Sequence, residues 1–372
     1  MKTWLHAISL ILLLLGLPFA GIWMSGHDIA AYLEFPPRTQ YVEHAPFSWP
    51  VFIGLATIIL AVMLPFIIHI MRSRKEIRSM RVDERIRHPF PWWGWVSLVL
   101  GAAFWVLAWS RFPWFEPLQL YTFSPLWICY IVSINAFTFR QTGHCLMTHD
   151  TRFFLVLFAL SAAFWWFFEY LNRFVQNWYY VGCDHFTPLQ YFVMATLPFS
   201  TVLPAVLSTE EWLACHPGCH AGLDRFHPLR RSPSSRGGVL LLAASSAGLL
   251  LIGVFPNQLY PLVWVAPLLL LVALNRVTHR PPFFPELEQG DWRRVFRFAL
   301  ASLICGFFWE LWNWHSLAKW IYTVPYVHRF QLFEMPLLGY AGYLPFGLEC
   351  AVIAELIRHR KSGHAGVVSS GA

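Results

Sequence analysis

Two apolar stretches of the chain each carry a glutamate followed, three positions later, by an asparagine. The first pair is Glu169 and Asn172, and the second pair is Glu310 and Asn313. Residues three apart lie on one face of a helix, so each amide shares the surroundings of its carboxyl group. Ionisable side chains inside a membrane are costly and by default indicate functional sites. The repeated pair therefore predicts a site for acid–base chemistry.

A pocket between the two stretches is the arrangement that would make these carboxyl groups reactive. Withdrawal from water favours the neutral carboxyl, which can act as a general acid. We therefore expect Glu169 and Glu310 to face one another as catalytic residues, with Asn172 and Asn313 orienting them. The alternative is an interfacial aromatic belt, in which the glutamates reach water and Arg173 pairs with Glu169.

A third carboxylate occurs near the second stretch only. Glu349 follows a Leu-Pro-Phe run, whereas the corresponding position after the first stretch is Val202. A charge present in one copy predicts an asymmetric site, to which Glu349 would add another catalytic group. The alternative is a carboxylate that pairs with a basic residue close to the cytoplasmic face.

Aromatic side chains are concentrated around the two glutamates, and they make up 18% of the whole chain. Aromatic faces stabilise cations and stack on flat conjugated molecules. A carboxylic acid within an aromatic wall suits the protonation of an alkene, although the same residues could simply anchor helices at the membrane interface. The residues predicted to bind substrate are Trp165, Trp166, Trp309, Trp312, Trp178, Trp320 and Tyr322.

The second stretch resembles a known family of membrane enzymes. The matching segments are 309–310 (Trp-Glu), 320–322 (Trp-Ile-Tyr) and 344–349 (Leu-Pro-Phe-Gly-Leu-Glu). They are similar to segments of the membrane-embedded lycopene cyclases of the heterodimeric and fungal type. The resemblance implies duplicated helical units and a lyase- or isomerase-type reaction that cyclises carotenoid ends by acid catalysis without a metal. It leaves the cofactor unknown.

The composition indicates a polytopic helical membrane protein. Of the 372 residues, 57% are hydrophobic and 13% are charged, against about 25% charged in a typical soluble domain. A span needs roughly 20 apolar residues. Ten segments approach this length, and we predict an all-α fold with ten spans at about 4–24, 48–71, 92–110, 121–139, 151–172, 187–207, 238–255, 258–276, 294–314 and 336–357.

The similarity between the two stretches predicts an internal duplication. Prolines, aromatic runs and the glutamate motifs recur in the same order, which indicates two four-helix repeats at 90–225 and 237–360. An even number of crossings gives both repeats the same orientation, as in parallel repeats. We expect a two-helix extension with a basic cytoplasmic loop at 1–89, a linker at 226–236 and a disordered tail at 361–372.

Basic residues predict how the chain crosses the membrane. Lys and Arg are concentrated within 72–87, 225–236, 276–294 and 358–361, whereas the alternate loops are nearly free of them. By the positive-inside rule both termini are cytoplasmic, in a multi-pass protein of a bacterial-type inner membrane. The first apolar segment could instead be a signal peptide, but we expect an anchor. This asymmetry explains the net charge of +7 without nucleic acid.

A cluster of cysteine and histidine offers a second kind of chemistry. Cys215, His216, Cys219 and His220 could bind zinc or an iron–sulfur cluster, or attach haem. A polar turn with reduced thiols is the simpler interpretation, because the loop is predicted to be cytoplasmic.

The sequence therefore favours an integral membrane enzyme that uses the paired glutamates on a lipid-soluble, isoprenoid or carotenoid-like substrate. Two alternatives stay open, namely a proton-coupled transporter and a non-catalytic subunit of a membrane complex. The expected partners are a lipid-soluble small molecule and membrane lipids, with a homo-oligomer or a larger membrane complex as further options.

Overall fold

The computed structural model describes residues 2–37, 39–77, 87–229 and 236–365. Helices dominate this part of the chain, as the composition predicts. Of the predicted disordered tail, residues 361–365 are helical and the rest lies outside the described residues. Residues 230–235 of the predicted linker and 78–86 of the basic loop lie outside them as well.

The α-helices are α1 (Lys2–Met24), α2 (Ala30–Leu33), α3 (Trp49–Ile77), α4 (Trp92–Trp109), α5 (Phe123–Thr142), α6 (Leu146–His149), α7 (Thr151–Val175), α8 (Pro188–Phe199), α9 (Val202–Ala214), α10 (Arg236–Leu251), α11 (Pro256–Leu259), α12 (Ala266–Val277), α13 (Arg293–Trp314) and α14 (Tyr343–Ala365).

Short strands and 3-10 helices complete the described structure. The strands are β1 (Trp178–Val181), β2 (Lys319–Tyr322), β3 (Gln331–Leu332) and β4 (Met335–Pro336). The 3-10 helices are Pro113–Tyr121, Pro217–His220, Leu223–Arg225, Tyr260–Trp264, Pro285–Gln289 and Leu337–Gly342.

Six helices of the described chain are long and apolar enough to cross a membrane. Two bent pairs, with angles of 67° and 60°, raise the number to eight if each pair is one span. The structure thus supports a multi-pass membrane protein with fewer clear spans than the ten predicted. The predicted segments 4–24 and 238–255 coincide with shorter apolar helices, Ile8–Met24 and Arg236–Leu251. The six spans are Trp49–Arg74, Trp92–Trp109, Thr151–Val175, Pro188–Ala214, Arg293–Trp314 and Leu337–Arg358.

Prolines account for both bends. In the first bent pair, the 3-10 helix Pro113–Tyr121 leads into α5, and in the second Tyr260–Trp264 leads into α12. Pro125 and Pro267 lie in the first turn of the helix that follows each bend. Proline is tolerated there because its missing N–H would have no partner within the helix. The chain therefore changes direction before each of these helices begins.

The two glutamate-bearing helices, α7 and α13, both pack against α9. Helix α9 also contacts α5, and α14 packs along α13. Small side chains allow some of these contacts, since a Cβ on Gly347 of α14 would lie 2.2 Å from the Phe298 carbonyl oxygen of α13. This packing buries one face of each glutamate-bearing helix in the interior of the bundle.

A two-stranded ribbon joins the ends of the two glutamate-bearing helices. Strand β1 follows α7, strand β2 follows α13, and the two pair in antiparallel fashion. Trp178 lies opposite Tyr322, and Tyr180 lies opposite Trp320. Because directly opposed residues in a ribbon share a face, these four aromatic side chains project together. The ribbon brings the aromatic runs of both stretches to one place.

Candidate functional site

Glu169 and Glu310 are completely buried, with 0% of each residue exposed. This burial contradicts the aromatic-belt alternative, in which both side chains reach water. Arg173 does not neutralise Glu169, because its guanidinium donates to the backbone carbonyls of Tyr32 and Glu34. Both carboxyl groups therefore lie inside the protein, as the pocket hypothesis requires.

Glu169 accepts hydrogen bonds through one oxygen only. Its Oε1 accepts from the indole nitrogens of Trp165 and Trp178, each at 3.1 Å, and from the Tyr180 hydroxyl at 2.6 Å. Its Oε2 is buried and has no hydrogen-bond partner among the described residues. One oxygen is thus saturated by aromatic donors, while the other is free to carry a proton.

Glu310 repeats this one-sided arrangement. Its Oε1 accepts from the hydroxyls of Tyr322 and Tyr343, each at 2.7 Å. The indole of Trp320 donates in turn to the Tyr322 hydroxyl at 2.9 Å. The Oε2 of Glu310 is buried without a partner within the described structure. Both carboxyl groups therefore have aromatic donors on one oxygen only.

The two asparagines do not orient the glutamates as expected, but hold the strands. The Asn172 amide donates to the Trp178 carbonyl at 2.7 Å, and its Oδ1 accepts from the Asn177 N–H at 2.8 Å. Asn313 donates to the Trp320 carbonyl at 2.8 Å and accepts from the Trp320 N–H at 2.9 Å. The physical reason is that the chain leaves each helix here, and its backbone polar groups need partners. The asparagines therefore act on the carboxyl groups indirectly, by fixing the strand that carries their donors.

A cavity of about 650 Å³ lies beside the β1–β2 ribbon. Aromatic side chains from the segments around Glu169 and around Glu310 line it. Every side chain that donates to the two carboxyl groups is part of this lining, whereas the glutamates themselves lie behind it. A molecule in the cavity would touch the tyrosine hydroxyls and indoles, and would reach the carboxyl groups through them. The aromatic lining residues near the glutamates are Trp165, Trp178, Tyr180, Trp264, Trp309, Trp320, Tyr322 and Tyr343.

The structure divides the predicted aromatic site residues into two groups. Trp165, Trp178, Trp309, Trp320 and Tyr322 line the cavity. The other two do not.

Trp166 and Trp312 lie outside the cavity lining. The Trp166 indole donates to the Thr196 hydroxyl at 2.9 Å. Trp312 is buried against Trp127, with ring centroids 5.2 Å apart. Trp166 projects from another side of α7 than Trp165, because adjacent residues of a helix point in different directions. Trp312 lies about one turn beyond Trp309, where Trp127 rather than the cavity contacts it.

Of the eight aromatic lining residues near the glutamates, sequence reasoning missed three, Tyr180, Tyr343 and Trp264. Tyr180 could have been found, since it lies in the aromatic run that matches the one ending at Tyr322. Tyr343 immediately precedes the Leu-Pro segment, yet no spacing rule connects it with Glu310. Trp264 packs on Trp178 with ring centroids 5.6 Å apart, a contact that depends on the fold.

Glu349 lies outside the cavity lining, as Glu169 and Glu310 do, but within the described structure it accepts no hydrogen bond from a lining side chain, so the expected third catalytic group is corrected. The residue is 1% exposed, and its Oε1 accepts from the Leu268 N–H at 3.1 Å. Leu268 is in the first turn of α12, where backbone N–H groups have no partner within the helix and the helix dipole favours a carboxylate. Glu349 therefore positions α12 just after its bend.

The cysteine–histidine cluster does not assemble a metal site. Within the described residues, no three His, Cys, Asp or Glu side chains come close enough to hold an ion. The ring of His216 contacts the Trp212 carbonyl at 2.8 Å and the Gln141 amide at 2.9 Å, while the Cys215 thiol donates to the Glu211 carbonyl at 3.5 Å. The predicted ligands Cys215, His216, Cys219 and His220 thus form a polar turn, in which the neighbouring helices supply other partners for Cys215 and His216.

The fold and site define a class of protein: a multi-pass helical membrane protein with an aromatic cavity backed by two buried glutamates. Comparisons with protein-family models, with curated proteins and with solved structures find no match to this chain.

Proposed function

We propose that this protein is an integral membrane enzyme that performs acid–base chemistry with Glu169 and Glu310 on a lipid-soluble, isoprenoid or carotenoid-like substrate. One observation carries the proposal. All five side chains that donate to the two buried carboxyl groups line the same cavity. Desolvated carboxyl groups joined to a ligand-sized cavity are the arrangement expected of a proton-transfer site.

The cavity suits an apolar, unsaturated substrate. Its volume of about 650 Å³ falls within the usual range of small-molecule sites. Indole and phenol rings from both halves surround the space, and their negative faces would stabilise a positive charge that develops on carbon. An alkene protonated there would thus form its carbocation against aromatic faces and away from water. A redox-neutral isomerisation or cyclisation fits these surroundings.

The hydroxyl groups of Tyr180, Tyr322 and Tyr343 give the proton a route. With the proton on Oε1 and the tyrosine hydroxyl turned toward the cavity, the carboxyl group passes its proton to the tyrosine oxygen while the tyrosine passes its own proton to an alkene carbon. The carboxylate that remains accepts a proton by the reverse route when the carbocation loses one from a neighbouring carbon. The substrate is then isomerised, and the enzyme returns to its starting state.

We further propose that the two glutamate motifs belong to two parallel four-helix repeats within a ten-span topology, with both termini in the cytoplasm of a bacterial-type cell. The order of elements supports this proposal, because a bent pair, a glutamate-bearing helix and a strand follow one another in each half. The antiparallel pairing of β1 with β2 is also what a twofold relationship between the halves would produce.

Substitution of the glutamates tests the proposed reaction. The protein is reconstituted in vesicles that contain an acyclic carotenoid, and conversion is followed by absorbance and chromatography. Glu310→Gln and Glu169→Gln keep an oxygen that accepts the aromatic donors but cannot supply a proton, so conversion should fall by about 10² to 10⁴.

The matched control is Glu116→Gln, which alters an exposed glutamate and should leave conversion unchanged. Correct folding is verified by size-exclusion chromatography and circular dichroism. A Glu310→Gln protein that converts substrate as fast as the wild type would rule out the proposed chemistry.

A further inference from the structure

The aromatic cavity is not closed on all sides. Leu100 of α4, Ile128 of α5 and Leu197 of α8 all line it. The same residues are 46%, 42% and 52% exposed. All three belong to candidate membrane spans, so their exposed surfaces face lipid rather than water. The cavity therefore opens sideways between α4, α5 and α8, and we call this gap the lateral opening.

The lateral opening lies near the middle of the membrane. Leu100 precedes the end of α4 by roughly nine residues, and Leu197 follows the start of α8 by the same number, about 14 Å along each helix axis. Both helix ends lie on the side of the membrane where the β1–β2 ribbon is. Helix α8 begins shortly after β1. Arg111, just beyond the end of α4, donates to the His315 carbonyl at 2.7 Å. A depth of about 14 Å is close to half of a hydrocarbon core of ~30 Å.

The part of the cavity lining that the β1–β2 ribbon supplies is more polar. Lys319, at the start of β2, is the one charged side chain among the described lining residues. Its ammonium donates to Glu334 at 2.5 Å and to the Trp314 carbonyl at 3.2 Å. The tyrosine hydroxyls that contact the glutamates lie in the interior of the cavity wall. The lining is thus aliphatic at Leu100, Ile128 and Leu197, and hydroxyl-bearing and charged where the β1–β2 ribbon and Tyr343 contribute to it.

We propose that a long-chain isoprenoid enters from the bilayer through the lateral opening and places only its reacting end in the cavity. The inference rests on the proposed function and specifies its substrate. A cavity of about 650 Å³ holds a drug-sized fragment, so a longer chain must extend past Leu100, Ile128 and Leu197 into lipid. An apolar rim at mid-membrane depth favours a hydrocarbon chain, because the molecules that meet the rim there are the lipid tails and what is dissolved among them.

Photolabelling in vesicles tests the route without relying on turnover. The probe is a diazirine-bearing analogue of geranylgeraniol, and labelled peptides are identified by mass spectrometry. In the wild type, saturable labelling should include the β2 peptide that contains Trp320 and Tyr322. Leu197→Trp fills the lateral opening and should lower this labelling at least fivefold.

Val193→Trp is the matched control, since Val193 lies on the same helix, is 43% exposed and does not line the cavity. It should label like the wild type, whereas Leu197→Ala should label at least as strongly. Equal labelling of the Leu197→Trp and Val193→Trp proteins would overturn the lateral route. Because Glu310 lies behind the lining, Glu310→Gln should keep its labelling while losing turnover.

Failure of this proposal and failure of the proposed function give different results. If Leu197→Trp labels normally and Glu310→Gln is inactive, the lateral opening is refuted and the reaction stands. If the β2 peptide of the wild type shows no saturable labelling, the isoprenoid does not occupy the cavity. If labelling follows the prediction but Glu310→Gln remains active, the route stands and the acid–base reaction fails.

Discussion

Replacement of Asn313 by alanine tests how the strand carries the donors of Glu310. The Asn313 amide makes two hydrogen bonds to the backbone of Trp320, at 2.8 and 2.9 Å, and the side chain is completely buried. Each net hydrogen bond contributes about 1 kcal/mol, and a buried polar group left without a partner costs about 1–3 kcal/mol. We therefore expect Asn313→Ala to lower the free energy of unfolding by about 2–4 kcal/mol.

The same change should also lower activity, because Tyr322 follows Trp320 by two residues and donates to Glu310. A strand that is no longer fixed at Trp320 holds this hydroxyl less accurately, although every group of the proton route is still present. We expect at least a tenfold loss of conversion, which corresponds to about 1.4 kcal/mol.

Unfolding in mixed micelles with increasing denaturing detergent, followed by circular dichroism, measures the stability change. Asn257→Ala is the control, since Asn257 makes one side-chain contact, with the ring of His44 at 3.0 Å. It should change the unfolding free energy by less than about 1 kcal/mol. An Asn313→Ala protein as stable and as active as the wild type would refute the argument that this asparagine fixes the strand.

Two further perturbations address packing and charge. Gly306→Ala places a Cβ 2.3 Å from the ring of Tyr343, so this ring must move away from Glu310. Conversion should then fall at least tenfold. The control is Gly54→Ala, whose added Cβ meets nothing within 4 Å and should leave conversion unchanged. If both alanine variants convert substrate equally well, the Tyr343 contact is not needed. The hydrogen-bonded guanidinium of Arg293 holds the pKa of Asp291 below its usual value. This pair should therefore stabilise the fold above the ordinary Asp pKa and lose its effect as the pH falls through the lowered one. Asp291→Asn should remove this part of the pH dependence below about pH 4 in thermal unfolding, and an unchanged profile would contradict it.

The glutamate motifs could be located from the sequence because their geometry is local. A spacing of three within an apolar run places both polar side chains on one helix face, and the surrounding hydrophobicity predicts burial. The membrane class follows from composition for the same reason. The structure agrees on both points, with 0% exposure of Glu169 and Glu310 and at least six candidate spans in the described chain.

The role of the asparagines and the location of Tyr343 could not be derived in this way. Asn172 and Asn313 find their partners in strands whose position depends on pairing between distant parts of the chain. Strand pairing is determined by tertiary contacts rather than by local pattern. Glu349 is a similar case, because its partner, the Leu268 N–H, becomes available only where the chain bends before α12.

The count of ten spans is not confirmed: the described chain has six, or eight if each bent pair is one span, and two predicted segments coincide with shorter apolar helices. Prolines shorten the helices around Pro125 and Pro267, so two apolar segments become bent pairs rather than straight spans. For Cys215 and His216 the simpler interpretation, a polar turn, agrees with the described structure, since proximity in sequence does not bring donor atoms together around one point.

The register of the β1–β2 ribbon makes the two carboxyl groups dependent on each other. Trp178, a donor to Glu169, lies opposite Tyr322, a donor to Glu310, and the two side chains share a face. A slip of one strand by a single residue would turn its aromatic donors to the other face of the ribbon. Because β1 and β2 pair with each other, an insertion or deletion in either strand would change the register that places the donors of Glu169 and Glu310 on one face.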